Sequence, residues 1–184
     1  MNNTIFISLA SYCDDMLEFT LKSAFNSAKN KENIFFGVVD QNHVNSRDTI
    51  KSLEFSNQIR YCHIFPDDSL GVSWARHLCF SLYNNEEYFL QVDSHTYFEE
   101  NWDENLIIQY KTLLGKSSKP IISTYPYGFS IEENNEITFK KPSGNTVLLL
   151  RPKKELKIDK QNLVLQFRAK HITSSEAILG CHIA

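Results

Sequence analysis

With 184 residues, 42% hydrophobic and 22% charged, the chain is long enough for one domain with its own core. A formal net charge of -3 argues against a nucleic-acid binder, so an anionic ligand would be held by a local site and not by the overall field. No apolar stretch approaches the ~20 residues of a membrane span, and the run from Ile5 to Ala10 is too short, and lacks the basic flank, for a signal peptide.

Taken in chain order, strand-like and helix-like patterns alternate. Ile5 to Leu9 is a short apolar run and predicts a buried strand. Asp14 and Asp15 then offer an N-cap, and Leu17, Leu21, Ala24, Phe25 and Ala28 follow at helical spacing. Ile34 to Val39 predicts a second buried strand. A polar stretch leads to a short helix near Thr49 to Phe55, and Ile59 to Phe65 predicts a third strand. Ser73 is placed to cap a helix whose inner face carries Trp74, Leu78 and Leu82. Tyr88 to Val92 predicts a fourth strand, and Trp102, Leu106, Tyr110 and Leu113 a further helix.

This alternation predicts an α/β fold with a mostly parallel sheet covered by helices on both faces. Ligands of such sheets bind beyond the carboxyl ends of the strands. That rule selects three polar places: Ala10-Ser11-Tyr12, Asp40-Gln41-Asn42 and Asp93-Ser94-His95. After Tyr125 the pattern changes. Thr138 to Lys140, Thr146 to Leu150 and Asn162 to Phe167 read as antiparallel strands between turns at Pro126, Gly128, Pro142 and Gly144. The expectation is one domain over residues 1–184. Residues 1–126 would form its ligand-binding part, and 127–184 an antiparallel extension that is expected to be incomplete because the chain stops on an uncapped apolar run, Ala177 to Ala184.

Three groups of residues carry chemistry. In Val92-Asp93-Ser94-His95 a strand runs into Asp-x-His, and residues two apart on an extended chain point the same way. Asp93 and His95 are therefore candidate ligands of one cation. A carboxylate with an imidazole suits manganese better than magnesium. The tripeptide taken alone also fits a loop-capping Asp and a solvated His, since motifs this short recur without function. In Gly71 to Arg76 a glycine opens a helix, so backbone N–H groups face an anion, and Arg76 one turn in adds a charged donor to a phosphate or to Asp93. A plain capped helix with an exposed Arg fits the same residues. Asp40, at the end of the second strand, is placed to meet a base or ribose, or simply to form a turn. His43, His63, His77 and His171 have no metal-set spacing, and His182 is a spare candidate ligand. The cysteines, Cys13, Cys62, Cys79 and Cys181, form no CxxC pair and read as reduced thiols of a cytoplasmic protein.

Taken together, the blocks Ile5 to Tyr12, Phe36 to Asn42, Gly71 to Arg76, Tyr88 to His95 and Thr124-Tyr125-Pro126 resemble the family that includes the cytoplasmic hydroxyproline N-acetylglucosaminyltransferases. The blocks keep the family's order and span about residues 4–126. The resemblance implies a GT-A fold, a UDP-sugar donor, a divalent cation and a protein or glycan hydroxyl as acceptor. Their places at the strand ends and at the helix start make Ala10, Ser11, Tyr12, Asp40, Gly71, Arg76 and Asp93 the expected donor-binding residues, and the resemblance implies that Asp93 and His95 stand at the family's Asp-x-Asp-like metal motif. It identifies no catalytic residue. Cys13 follows Tyr12 where the family usually has a basic residue, so this loop is not expected to supply a phosphate-binding cation. The family continues past the point matching Ala184, so the chain is expected to be truncated. Two alternatives stay open: a transferase using another UDP-hexose for a surface polysaccharide, and a nucleotide-sugar-binding fragment without turnover.

Overall fold

The structure is a computed structural model that describes residues 3–124, 126–134 and 136–140 with their side chains, and beyond these the strand backbones of 146–152, 157–159, 162–164 and 167–173. The chain divides into two units, Met1–Ile108 and Gln109–Ala184.

The first unit is built on four strands, β1 (Ile5–Tyr12), β2 (Ile34–Gln41), β3 (Ile59–His63) and β4 (Tyr88–Asp93). They are all parallel, in the order β3-β2-β1-β4. The connections carry the helices α1 (Leu17–Ser27), α2 (Arg47–Lys51) and α3 (Val72–Ser81), and α4 (Trp102–Leu114) follows β4. This is the mostly parallel, helix-flanked sheet that the alternation predicts. β1 and β2 are central and covered on both faces, which is why both are nearly continuous apolar runs with almost every residue buried. β3 and β4 are edges, and β4 alternates between exposed and covered residues. Leu9 lies level with Val38 and Val92, and Ala10 with Val39 and Asp93, so the three polar strand ends share one edge of the sheet. The order reverses at β1, whose neighbours β2 and β4 start out on opposite sides. The crevice beyond the carboxyl ends of β1 and β4 is therefore the topological switch point.

Pleating assigns the side chains to two faces. Phe6, Ala10 and Tyr12 of β1 share a face with Gly37, Val39 and Gln41 of β2, the face covered by α3. Ser11 and Asp40 are paired in register on the other face, where Phe36 meets Phe55 and Phe55 stacks on Phe25 of α1. Phe6 lies against Gly37, with the Arg60 guanidinium, Tyr83 and Phe89 around its ring. A Cβ at position 37 would fall inside the ring's van der Waals radius, and Phe6 is fully buried and has no room to withdraw. Gly37→Ala is expected to lower the unfolding free energy by about 1–3 kcal/mol, the usual cost of overpacking a core. Urea denaturation at unchanged m-value checks it.

The inner face of α3 differs from the expected one. Its fully covered residues are Ala75 and Cys79, while Trp74, Leu78 and Leu82 pack around them and stay partly exposed. Small residues at the contact let the helix axis approach the sheet closely enough for the Cys79 thiol to donate to the Leu9 carbonyl at 3.1 Å. Burial pushes that thiol up to about 11. The cap also differs. Ser73 lies inside the helix, and the N-cap is Gly71, at φ +96°, a backbone conformation that suits glycine. The N-cap of α1 is Met16, not Asp14 or Asp15.

Two buried carboxylates tie this unit together. Asp103 of α4 accepts the Lys29 and Asn30 N–H groups at 2.8 and 2.9 Å and the Asn30 amide at 3.0 Å, closing the exit of α1. Glu86 pairs with Arg60 and accepts the Asn84 N–H. Burial alone would raise both carboxyls. The hydrogen bonds outweigh it, and both lie below their ordinary values of 3.8 and 4.5. Groups with depressed folded-state values stabilise fully above their unfolded values and stop doing so as pH falls through the folded ones. Stability is therefore expected to hold from neutral pH down to about pH 5 and to drop steadily below it. Asp103→Asn and Glu86→Gln should each flatten that acid limb in urea titrations run at successive pH values.

In the second unit the pairs are antiparallel: β5 (Phe129–Ile131) with β6 (Ile137–Phe139), β7 (Thr146–Pro152) with β10 (Phe167–Thr173), and β8 (Lys157–Asp159) with β9 (Asn162–Val164). These are the antiparallel strands expected of this region. Phe129–Ile131, Lys157–Asp159 and Phe167–Thr173 are additions to the expected set, and the strand expected over Asn162 to Phe167 is described only as Asn162–Val164. Tyr125, Cys181 and His182 lie outside the described residues. Among the described residues, no helix is long and apolar enough to cross a membrane.

Candidate active site

A cavity of about 450 Å³ opens beyond β1 and β2 beneath the start of α3. Ala10, Tyr12 and Gln41 form its sheet side, and Ser69, Gly71 and Ala75 its helix side. A chain of hydrogen bonds holds this wall. The Gly71 N–H donates to Ser69 Oγ at 3.3 Å, Ser69 Oγ donates to Gln41 Oε1 at 2.7 Å, and Gln41 Nε2 donates to the Ser11 carbonyl at 2.9 Å. With Gly71 as N-cap, the first N–H groups of α3 have no partner within the helix, and they start at the cavity wall. None of the cavity's lining residues is a carboxylate. A second cavity, about 480 Å³, is lined partly by Asp14, Asp15 and Glu18, which disfavours an anion there.

Of the expected donor residues, Ala10, Tyr12 and Gly71 line the first cavity, and Ser11, Asp40, Arg76 and Asp93 do not. For Ser11 and Asp40 the strand pleat is the reason: they are in register with each other and face away from α3. Asp40 is fully buried and satisfied from within, accepting the Tyr61 hydroxyl at 2.7 Å and the Asn42 amide at 2.6 Å. Burial, and then the Asp40 charge, hold the Tyr61 hydroxyl well above its ordinary range. The base or ribose contact expected of Asp40 is thus not prepared by this geometry, and the neighbouring Gln41 occupies the wall instead. Ser69 did not stand out in the sequence, and Gln41 did so only as the middle of the strand end Asp40-Gln41-Asn42. The signal for Gln41 was its alternation in step with Ala10 and Tyr12.

Arg76, one turn into α3, reaches across to β4 and donates to Asp93 at 3.2 Å. This is an exposed pair, with Asp93 62% and Arg76 39% accessible at the side chain, so it contributes at most about 1 kcal/mol to folding. The loop after β4 is anchored from the α1 side. Thr20, fully buried in α1, donates its hydroxyl to the Ser94 carbonyl at 2.6 Å and accepts the Thr96 N–H at 2.8 Å. Thr96 Oγ1 donates to the Asp93 carbonyl at 2.7 Å. Asp14, just beyond β1, accepts the Ser94 hydroxyl at 2.6 Å and lies 2.8 Å from His95 Nδ1. Its other oxygen accepts the Met16 N–H at 2.9 Å. Burial would raise the Asp14 carboxyl, but these bonds and the His95 ring hold it below its ordinary value.

Among the described residues no three His, Cys, Asp or Glu side chains gather so as to hold a metal ion. The donors at Asp93 and His95 nonetheless fit a divalent cation shared with a ligand. Both side chains are exposed at the same strand end, and only one oxygen of Asp93 and one nitrogen of His95 are engaged among the described residues. Each thus keeps a donor atom unengaged, a carboxylate oxygen on Asp93 and a ring nitrogen on His95, and a cation held by them would take its further positions from ligand oxygens and water. Of the remaining histidines, His63 Nε2 donates to the Asn42 carbonyl at 2.8 Å, and His43 and His77 are exposed.

No curated protein matches the chain. Among solved structures it is similar to three of the same Staphylococcus aureus protein, TarS 1-349. The structure of TarS in complex with UDP-GlcNAc is 12% identical at a TM-score of 0.48, over 66% of this chain and 37% of that one. The complex with UDP is 11% identical at 0.47, over 66% and 38%, and TarS 1-349 itself is 12% identical at 0.46, over 70% and 41%. The chain thus spans less than half the length of these proteins. The model of the family described as Glycosyltransferase (GlcNAc) matches residues 4–55 and 45–179, nearly the whole length, and the chain belongs to that family.

Proposed function

We propose that this chain forms the donor-binding part of a transferase that moves N-acetylglucosamine from UDP-N-acetylglucosamine to a hydroxyl of a protein or glycan. Membership of the family supports the sugar and the reaction class. One observation carries the residue-level reading: a cavity free of carboxylates and headed by a helix N-terminus opens beyond β1 and β2, at the same edge of the sheet as Asp93 at the end of β4. The diphosphate would sit between the two, its oxygens toward the first N–H groups of α3. Arg76 holds a positive charge beside Asp93 and would add a charged donor to those oxygens. Tyr12, 57% exposed at the cavity mouth, offers a flat apolar surface to a base or sugar. A divalent cation, manganese in preference to magnesium, would be held by Asp93 and His95, and when bound it supplies charge neutralisation to the departing diphosphate. A cytoplasmic setting belongs to this same proposal.

Calorimetry of UDP binding with and without manganese tests it, followed by a donor series of UDP-N-acetylglucosamine, UDP-glucose and UDP-galactose. Metal-loaded protein is expected to bind UDP at least tenfold more tightly than chelator-treated protein, about 1.4 kcal/mol. Equal affinity in the two states overturns the cation bridge. Preference for a hexose without the N-acetyl group overturns the donor assignment.

A further inference from the structure

Asp14 is unaccounted for by the donor reading, yet it is among the most heavily bonded side chains near the site. β1 ends at Tyr12, and Cys13 turns the chain out of the sheet at φ +47°, its N–H fixed on the Gln41 carbonyl at 3.1 Å. A non-glycine residue in that region carries a conformational cost, and here a backbone hydrogen bond holds it in place. The turn brings Asp14 alongside the loop after β4, which is 80 residues away along the chain. The two carboxylate oxygens then divide their tasks. Oδ1 accepts the Met16 N–H, and Oδ2 accepts the Ser94 hydroxyl and faces His95 Nδ1.

We propose that Asp14 is a positioning residue for His95, fixing the imidazole as its Nδ1–H tautomer and presenting Nε2 as the donor atom for the cation. The choice of donor atom rests on the metal reading given above, and the tautomer does not. A carboxylate oxygen only accepts hydrogen bonds, so the nitrogen 2.8 Å from it carries the proton, and in the neutral ring the lone pair lies on Nε2. A carboxylate behind one ring nitrogen is the common means of orienting a metal-binding histidine and raising its basicity, and removing it typically weakens metal affinity 10–100-fold. Helix capping does not explain the arrangement. The N-cap of α1 is Met16, only Oδ1 serves that end, and both bonds to the β4 loop fall on Oδ2. Ser94 is nearly fully buried and directs its hydroxyl at the same Oδ2, so the carboxylate is held from two sides and His95 adopts the orientation it sets.

The test is nitrogen-15 spectroscopy of histidine-labelled, chelator-treated protein at a pH where the ring is neutral, with His95 assigned from a His95→Gln sample. The parent is expected to show His95 mainly as Nδ1–H. In Asp14→Asn the amide cannot accept with both of its ends. If its oxygen keeps the Met16 N–H, its NH2 faces the ring, and the spectrum should move toward Nε2–H. In Asp14→Ala the ring should relax toward the Nε2–H form that an unrestrained imidazole favours. Titration with Mn2+ alone should show affinity 10–100-fold weaker in both variants. Ser94→Ala, which leaves Asp14 in place, should keep the Nδ1–H form. An Nε2–H ring in the parent overturns the proposal even if neither Asp14 variant folds, as does an Nδ1–H ring that persists in folded Asp14→Ala. A parent that is Nδ1–H but binds no Mn2+ overturns the donor-atom part together with the metal reading, while Mn2+ binding that ignores both Asp14 substitutions overturns the positioning role alone.

Discussion

Asp93→Asn is expected to lose the manganese-dependent part of UDP binding while leaving the fold intact. Asp93 is exposed at the end of β4, and its described side-chain partner is Arg76 at 3.2 Å. Asparagine keeps the shape and can still accept from Arg76, so thermal stability should change by less than about 0.5 kcal/mol. The charge decides the ligand. A diphosphate beside Asp93 meets a carboxylate of like sign, and a cation between them turns the repulsion into attraction. At ~4 Å a unit-charge pair is worth between about 1 kcal/mol in water and about 4 kcal/mol at an effective dielectric near 20. The exposure of Asp93 favours the lower part of that range, which still corresponds to about tenfold or more in affinity. The two substates should therefore respond with opposite signs. In manganese the variant should bind UDP at least tenfold more weakly than the parent. In chelator it should bind no more weakly, because the repulsion is gone and Arg76 is less firmly held. Calorimetry on both proteins in both buffers reads all four values. Equal weakening with and without manganese would mean that the substitution acts through the fold, and Asp93 would be an ordinary strand end.

Much of the sheet was legible because its central strands are buried on both faces. Ile5 to Leu9 and Ile34 to Val39 have few polar residues to confuse the period, and both form strands close to the predicted limits. The ends of the strands were legible as places and less so as contacts. Asp40-Gln41 offers two adjacent polar side chains, and which one meets the cavity depends on the register against β1, where Gln41 pairs with Tyr12 and Asp40 with Ser11. A carboxylate draws attention as a ligand-binding group, but here it is enclosed by Tyr61 and Asn42, contacts that no local pattern announces. The inner face of α3 was misjudged for a related reason. Large apolar residues mark a helix face in sequence, whereas close approach to a sheet selects small ones, and Ala75 and Cys79 sit at the contact. Asp14 was read as a cap because its neighbours in sequence begin a helix. Its partners Ser94 and His95 come from the far side of β4, and only the parallel pairing of β1 with β4 brings them together. Thr20 left a faint trace, a polar residue on the otherwise apolar stripe of Leu17, Leu21 and Ala24.

That threonine supports the prediction with the largest expected effect on stability. Thr20→Val keeps the volume and branching of the side chain and removes only its hydrogen bonding. In the parent, one hydroxyl donates to the Ser94 carbonyl and accepts the Thr96 N–H, at a site with no solvent access. Valine leaves both backbone groups buried without that partner, and each such loss costs about 1–3 kcal/mol, so a fall of about 2–6 kcal/mol in unfolding free energy is expected. The effect should also reach the site, because Ser94 and Thr96 flank His95, and Thr96 in turn holds the Asp93 carbonyl. With the loop released, the two donor groups are no longer held at one separation, and affinity for Mn2+ should drop about tenfold although both side chains remain, since loss of outer-shell support of this kind typically costs 10–100-fold. Thr20→Ser is the control. It keeps the hydroxyl and loses a methyl group, so it should cost about 1 kcal/mol and leave Mn2+ affinity near that of the parent. Urea denaturation and manganese calorimetry on the three proteins separate packing from anchoring. A valine variant as stable as the parent removes the anchoring role of Thr20, and one that is destabilised with unchanged Mn2+ affinity shows that the loop keeps its shape without it.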